Sequence, residues 1–222
     1  MNKIFLFTAT LILTQVLTSS AQSLSSQDVQ ALLARVRERR AASPHVQADF
    51  REEKKIHLMT RPIVSMGKVW FSPPNKFRRE VRGNSPSITV CDGQELWIYY
   101  PNFKSAEHYQ LGKRSPLDAA IAAINTALNL ENVEDTFTIS GDKADNGYRL
   151  HLLPRSPQMK RSFKAFDVWL DQDLFVSRTE MTQPNGDQAV TIYSSHSRAA
   201  IPESTFQFKP PEGTDVSTPL GK

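Results

Sequence analysis

GKVWFSPPNKFRREVRGNSPSITVCDGQELWIYYP, residues Gly67 to Pro101, is the stretch whose reading decides the fold. Three turn formers cut it into four short segments: Pro73-Pro74-Asn75, Gly83-Asn84-Ser85-Pro86 and Asp92-Gly93. Proline presets φ, while glycine and asparagine supply the left-handed conformations that tight reversals need. Between the turns, β-branched and aromatic residues predominate, which predicts four strands joined as hairpins. Trp70 and Trp97, two of the chain's three tryptophans, fall inside the stretch. A strand with one wet face alternates apolar and polar residues. Lys68-Val69-Trp70-Phe71 and Leu96-Trp97-Ile98-Tyr99-Tyr100 do not alternate, so both faces of this sheet meet apolar material.

The flanking chain supplies what could meet them. Upstream, Ser25 or Ser26 can cap a helix running to about Arg40, with Val29, Leu32, Leu33 and Val36 on one apolar stripe. From His45 to Leu58 the period changes to two, with Val46, Ala48 and Phe50 alternating against Gln47, Asp49 and Arg51. Downstream, a strand is expected near Glu107 to Leu111. A second helix follows, with Ser115 as N-cap, Pro116 at its first position and a stripe of Leu117, Ile121, Ile124 and Leu128. Strands then return: Thr136 to Gly141, Tyr148 to Leu153, Phe163 to Leu170, Leu174 to Met181 and Val190 to Ser195. Pro184-Asn185-Gly186 is the strongest of their turn signals. A helical turn at Ile201 to Thr205, Phe206-Gln207-Phe208 and a Pro-Pro-Glu-Gly break close the chain.

Short connections favour antiparallel neighbours, and so many strands in one domain curl. The expected class is therefore mainly β (α+β): an incomplete antiparallel β-barrel of about ten or eleven strands, with helices covering its cavity.

Residues 1–21 are expected to form a secretory signal peptide. Lys3 gives the positive start, Ile4 to Leu17 the apolar core and Ser19-Ser20-Ala21 the cleavage site. The alternative, an uncleaved anchor, would need a longer run of roughly 20 apolar residues. Residues 22–222 then form a single domain of ordinary size. Formal charge is +4 over the whole sequence of 222 residues, with basic residues scattered among acids. An exported chain rarely meets nucleic acid, and that distribution fits a plain solvated surface better than weak attraction to an anionic membrane. Cys91 is the only cysteine, so no internal disulfide can form, and its place at a strand end reads as structural.

Catalytic and metal-binding patterns are not found in the sequence. His45, His57, His108, His151 and His196 are dispersed without ligand spacing, and no GxSxG, P-loop or GxGxxG occurs. His108 reads as a solvated residue on a loop or edge strand. No enzyme activity and no cofactor are expected. An apolar surplus without catalytic groups, on a curled and exported sheet, points instead to a shelter for an apolar ligand. Each methylene of an acyl chain gains about 0.8 kcal/mol on burial.

The opening stretch resembles the periplasmic outer-membrane lipoprotein carriers, the LolA family. The similarity rests on Gly67-x-Val69-Trp70-Phe71, Pro74, Lys76-Phe77-Arg78, Ser87 to Gly93, Leu96 to Tyr99 and Pro101. It extends to Val46 to Phe50 and to the tail from Phe206 to Val216. The resemblance implies a half-barrel whose helices act as a lid over a cavity. That cavity would shelter lipoprotein acyl chains between an inner-membrane exporter and an outer-membrane acceptor. The protein is expected to be a periplasmic monomer. Candidate cavity lining is Phe50, Val69, Phe71, Val81, Ile88, Val90, Leu96 and Ile98. Leu117, Ile121 and Ile124 would form the lid, and Phe77 would contact a partner. At Pro73 the chain departs from the family, whose well-studied members carry there an arginine that helps hold the lid. Arg78 or Arg79 could replace it. The alternative function is a divergent periplasmic binding or sensor protein for another lipid or apolar ligand.

Overall fold

A computed structural model describes residues 22–112, 130 and 132–219. The expected signal peptide and the expected second helix, with Leu117, Ile121 and Ile124, lie outside the described residues.

Helix α1 spans Ser26–Ala42, and Ser25 is its cap. The Asp28 N–H donates to the Ser25 hydroxyl at 3.1 Å, and the Ser25 N–H donates back to the Asp28 carboxylate at 3.2 Å. This capping box satisfies two helix-end donors that would otherwise have no partner. The stripe read from the sequence is the buried one: Val29, Leu32, Leu33 and Val36.

Twelve strands follow. They are β1 (Val46–Lys55), β2 (Ile63–Ser72), β3 (Lys76–Arg82), β4 (Ser87–Cys91), β5 (Glu95–Tyr100), β6 (Ser105–Gln110), β7 (Phe137–Ala144), β8 (Gly147–Pro154), β9 (Ala165–Leu170), β10 (Val176–Thr182), β11 (Gln188–Ser197) and β12 (Asp215–Ser217). Two short helices, α2 (Val133–Thr136) and α3 (Pro157–Ser162), interrupt the second half. All twelve strands join one sheet in the order β12-β6-β5-β4-β3-β2-β1-β11-β10-β9-β8-β7. The edges β12 and β7 do not pair, so the fold is an open, mainly antiparallel sheet with few helices. The four strands expected in the opening stretch are β2 to β5.

Several boundaries differ from expectation. β1 stops at Lys55, because beyond it Ile56 and Met59 close a turn. Strand β12 was not anticipated. It lies parallel to β6, with the Asp215 N–H donating to the Lys104 carbonyl at 2.8 Å. Helix α3 carries a signal the sequence reading passed over, the Ser156 cap followed by Pro157.

Register assigns every strand residue to a face, since side chains alternate along a strand and directly paired residues share a side. On one face lie Leu150, Leu152, Phe166, Val168 and Leu170, packed with the α1 stripe, Val133 and Phe137 into the main core. We call this the helix face. The opposite face carries Val90, Trp97 and Tyr99, and the C-terminal segment crosses it. This is the tail face. Phe206 is 2% exposed and Phe208 stacks within 5.8 Å of Trp97 and 5.6 Å of Tyr99. The tail thereby accounts for one face of the non-alternating strand β5, while the α1 core covers the helix face at β8 and β9 and includes no residue of β2 to β5.

Further along the tail face Trp169 is shielded differently. The guanidiniums of Arg149 and Arg178 lie 5.2 and 4.7 Å from its ring, each pairing with a carboxylate, Asp167 or Glu180. Two cations over one ring keep its apolar surface from water while staying solvated themselves.

Gly67 has a packing role. A Cβ there would lie 1.7 Å from the Glu80 carbonyl oxygen and 2.9 Å from the Phe50 ring. Backbone cannot yield as a flexible side chain can. Gly67→Ala should therefore destabilise by about 1–3 kcal/mol, the usual cost of overpacking. Thermal denaturation measures it, and an unchanged midpoint would mean that β2 and β3 separate freely.

Candidate ligand-binding face

The half of the helix face built from β1 to β5 is apolar over three successive rows. The pairings put Val46, Phe71, Phe77, Cys91 and Leu96 in one row, and Ala48, Val69, Arg79, Thr89 and Ile98 in the next. Phe50, Gly67 and Val81 form the third. Val69, Phe71, Phe77, Val81 and Ile98 are only partly buried, while Phe50 and Leu96 are each 3% exposed. Six of the eight candidate lining residues thus share one wall: Phe50, Val69, Phe71, Val81, Leu96 and Ile98. Phe77, the expected partner contact, stands in it beside Phe71.

Ile88 and Val90 do not share that wall. Ile88 pairs with Glu80 and Tyr99, and Val90 with Arg78 and Trp97, all on the tail face. Val90 is 2% exposed near Phe206 and Phe208. The family resemblance groups both residues with Leu96 and Ile98 as lining. Hydrophobicity does not label a face when both faces are covered, and the hairpin register that does so is a tertiary fact.

Two polar clusters interrupt the apolar wall. Arg79 lies 4.3 Å over the Phe50 ring and donates to Glu52 at 3.0 Å. Tyr193, the direct partner of Phe50, stands beside them, and burial raises its phenol above the ordinary tyrosine value. Of the two arginines considered in place of the family's arginine, only Arg79 is on this face. Arg78 points to the tail face, donating to Glu80 at 2.7 Å and to the Thr205 carbonyl at 3.2 Å. At the other side Tyr109 donates to Glu107 at 2.5 Å. Burial, followed by that acidic partner, pushes its phenol up to about 12. In the first cluster Arg79 and Glu52 offset one another, whereas in the second Glu107 keeps its negative charge beside the neutral Tyr109 phenol.

The remaining reactive side chains are accounted for by packing. Cys91 is 0% exposed, its Sγ lies 3.2 Å from the Asn75 carbonyl, and burial raises its thiol. A thiol held protonated is a poor nucleophile. His108, expected to be solvated, instead stacks on Trp97 at 4.1 Å and approaches Glu95 at 3.3 Å. His151 meets Asp167 at 2.9 Å, and His196 meets the Val176 carbonyl at 2.9 Å. Among the described residues no group of three His, Cys, Asp or Glu side chains converges as a metal site.

A cleft of about 730 Å³, open to solvent, is lined by residues outside the apolar wall. Its lining includes Leu153, Phe163 and Pro184 with Arg155, Lys160 and Lys164. Three cations at one opening suit an anion better than an acyl chain.

Comparison with known proteins follows the same lines. The profile of the family described as "Outer membrane lipoprotein carrier protein LolA" matches residues 41–209. An outer-membrane lipoprotein carrier protein of Glaesserella parasuis is 25% identical over 195 residues, covering 88% of each chain. One from Chromohalobacter salexigens is 24% identical over 201 residues, covering 90% of each. Among solved structures, a LolA superfamily protein of Nitrosomonas europaea aligns with a TM-score of 0.44 at 12% identity. That alignment covers 81% of this chain and 97% of the other.

Proposed function

The chain belongs to the LolA family of outer membrane lipoprotein carrier proteins, and from that premise we propose that it shelters lipoprotein acyl chains against the helix face of β1 to β5. The carrying observation is the wall itself: Val69, Phe71, Phe77, Val81 and Ile98 stay partly uncovered beside buried Phe50 and Leu96. Apolar side chains left in partial contact with water gain by receiving a ligand, about 25 cal/mol for each Å² removed from water. A chain of many methylenes then outweighs the entropy of holding it, and no covalent step is required.

In this reading residues 1–21 direct export and are removed, and residues 22–222 act as one periplasmic domain. Acylated lipoproteins are the cargo, received from an inner-membrane exporter and released to an outer-membrane acceptor. Leu117, Ile121 and Ile124 contribute a lid, and Phe77, at the end of β3 away from Arg82, contacts a partner. The protein works as a monomer without a cofactor and without catalysis.

The test is to capture the protein with its cargo from its own envelope and weigh the complex by native mass spectrometry. Triacylated lipoprotein is the expected mass. A small lipid would transfer the reading to another apolar ligand. Finding no acylated ligand, together with no binding of an apolar fluorescent probe, would defeat the shelter altogether.

A further inference from the structure

The antiparallel order brings the β1–β2 turn, the β3–β4 turn, the β5–β6 turn, the β10–β11 turn and the β8–β9 connection to one end of the sheet. That end carries the most exposed large apolar side chains among the described residues. Leu58 is 91% exposed, Phe103 79%, and Met59 51%. Ile63, at the start of β2, is 43% exposed and lies beyond the last β2–β3 pair, Met66 with Arg82. A patch of this kind on a soluble domain marks a surface that meets something apolar.

Its charge identifies the class of partner. Lys54, Lys55 and Arg61 stand exposed around Leu58 and Met59. The turn at Gln183–Asp187 adjoins them, since the Asp187 carboxylate accepts from the His57 N–H at 2.8 Å. Pro184 of that same turn lines the 730 Å³ cleft bearing Arg155, Lys160 and Lys164. Counter-charges at this end are fewer. Glu52 pairs with Lys54 at 3.4 Å, Glu134 pairs with Arg37 at 2.9 Å, Asp187 accepts from the neutral His57 N–H, and Asp135 and Asp215 are exposed. Exposed leucine, methionine and phenylalanine ringed by lysine and arginine match the two layers of a bilayer surface, acyl boundary below and anionic headgroups above.

We propose that this end of the sheet docks on a membrane surface bearing anionic lipid. Leu58, Met59 and Phe103 enter the acyl boundary, and a lipid headgroup occupies the basic cleft. None of Leu58, Met59, Phe103 and the cleft residues belongs to the apolar wall, so the inference does not depend on the carrier reading.

Vesicle co-sedimentation of the mature chain tests it. One set of vesicles is phosphatidylcholine alone, the other an equimolar mixture with phosphatidylglycerol. The wild type is expected to bind the mixture, less tightly as salt is raised, and to bind phosphatidylcholine weakly. Leu58→Asp with Phe103→Asp should lower binding to the mixture by at least about tenfold. Lys160→Glu with Lys164→Glu should remove the preference for phosphatidylglycerol. These side chains are exposed, so thermal denaturation should show the variants folded, and uptake of an apolar fluorescent probe should be unchanged. Absent binding to the mixture, or binding that neither variant weakens, would overturn the proposal. So would equal competition by free glycerophosphate, which would make the cleft a soluble-phosphate site. A dimer seen by light scattering and broken by Leu58→Asp, without vesicle binding, would give the patch to a second copy and overturn it as well.

Discussion

Val81→Glu should lower affinity for an acylated fluorescent probe by at least about tenfold, while Lys68→Glu leaves uptake unchanged. Both positions lie on adjacent strands of the same hairpin, and both are partly buried. They differ in face. Val81 pairs with Gly67 and Ser87 and stands in the row of Phe50, whereas Lys68 pairs with Glu80 and Asp49 on the tail face. A carboxylate at residue 81 has no cation directly opposite it on either neighbouring strand. Enclosing it against an acyl chain costs several kcal/mol, more than enough for a tenfold loss. Titration of the probe into each variant, with circular dichroism to confirm folding, decides the matter. Unchanged uptake by Val81→Glu would remove the helix face as the wall, and equal losses in both variants would show a general rather than facial effect.

Phe206→Ala carries the second large effect, on stability. Phe206 is 2% exposed and lies under the tail against the face that holds Val90 and Trp97. Its segment is anchored on β3, where Arg78 donates to the Thr205 carbonyl at 3.2 Å and Lys76 pairs with Glu203. Removing a buried phenylalanine ring costs about 3–5 kcal/mol through lost transfer energy and the cavity left behind. For a domain of this size that is a fall of roughly 6–20 °C in Tm. The loss should appear in calorimetry, with probe affinity of the folded fraction preserved because the proposed wall is on the other face. A shift of only a degree or two would mean that the tail lies loosely on the sheet. A parallel loss of probe affinity would mean that the two faces are coupled through β4 and β5.

The opening stretch gave its four strands and its turns directly, because proline, glycine and asparagine act through local backbone sterics. Helix α1 was equally legible: Ser25 and Asp28 form the capping box, and the stripe of Val29, Leu32, Leu33 and Val36 is the buried one. Strand β12 was not legible. Its three residues are all exposed and earn their conformation only by pairing with Ser105, Ala106 and Glu107, far away in sequence. His108 was misread for a related reason. Its stacking partner Trp97 is set by the β5–β6 register and not by any neighbour in the chain.

By itself, then, the sequence determined that the chain is a curled antiparallel sheet with two apolar faces, and it carried the family resemblance in Gly67 to Pro101. Those properties follow from local sterics and from the period of hydrophobic residues, which each segment carries within itself. Only the tertiary structure decided which face each apolar residue serves. It placed Val69, Val81 and Ile98 on the helix face and turned Ile88 and Val90 to the tail face, where Val90 lies beside Phe206 and Phe208. It likewise gathered Leu58, Phe103, Lys160 and Lys164 at one end of the sheet. The reason is the two-residue period of a strand: a shift of one position exchanges the faces completely, and composition is blind to the exchange. Pairing across hairpins fixes that position, and with it the face on which each residue of Gly67 to Pro101 stands.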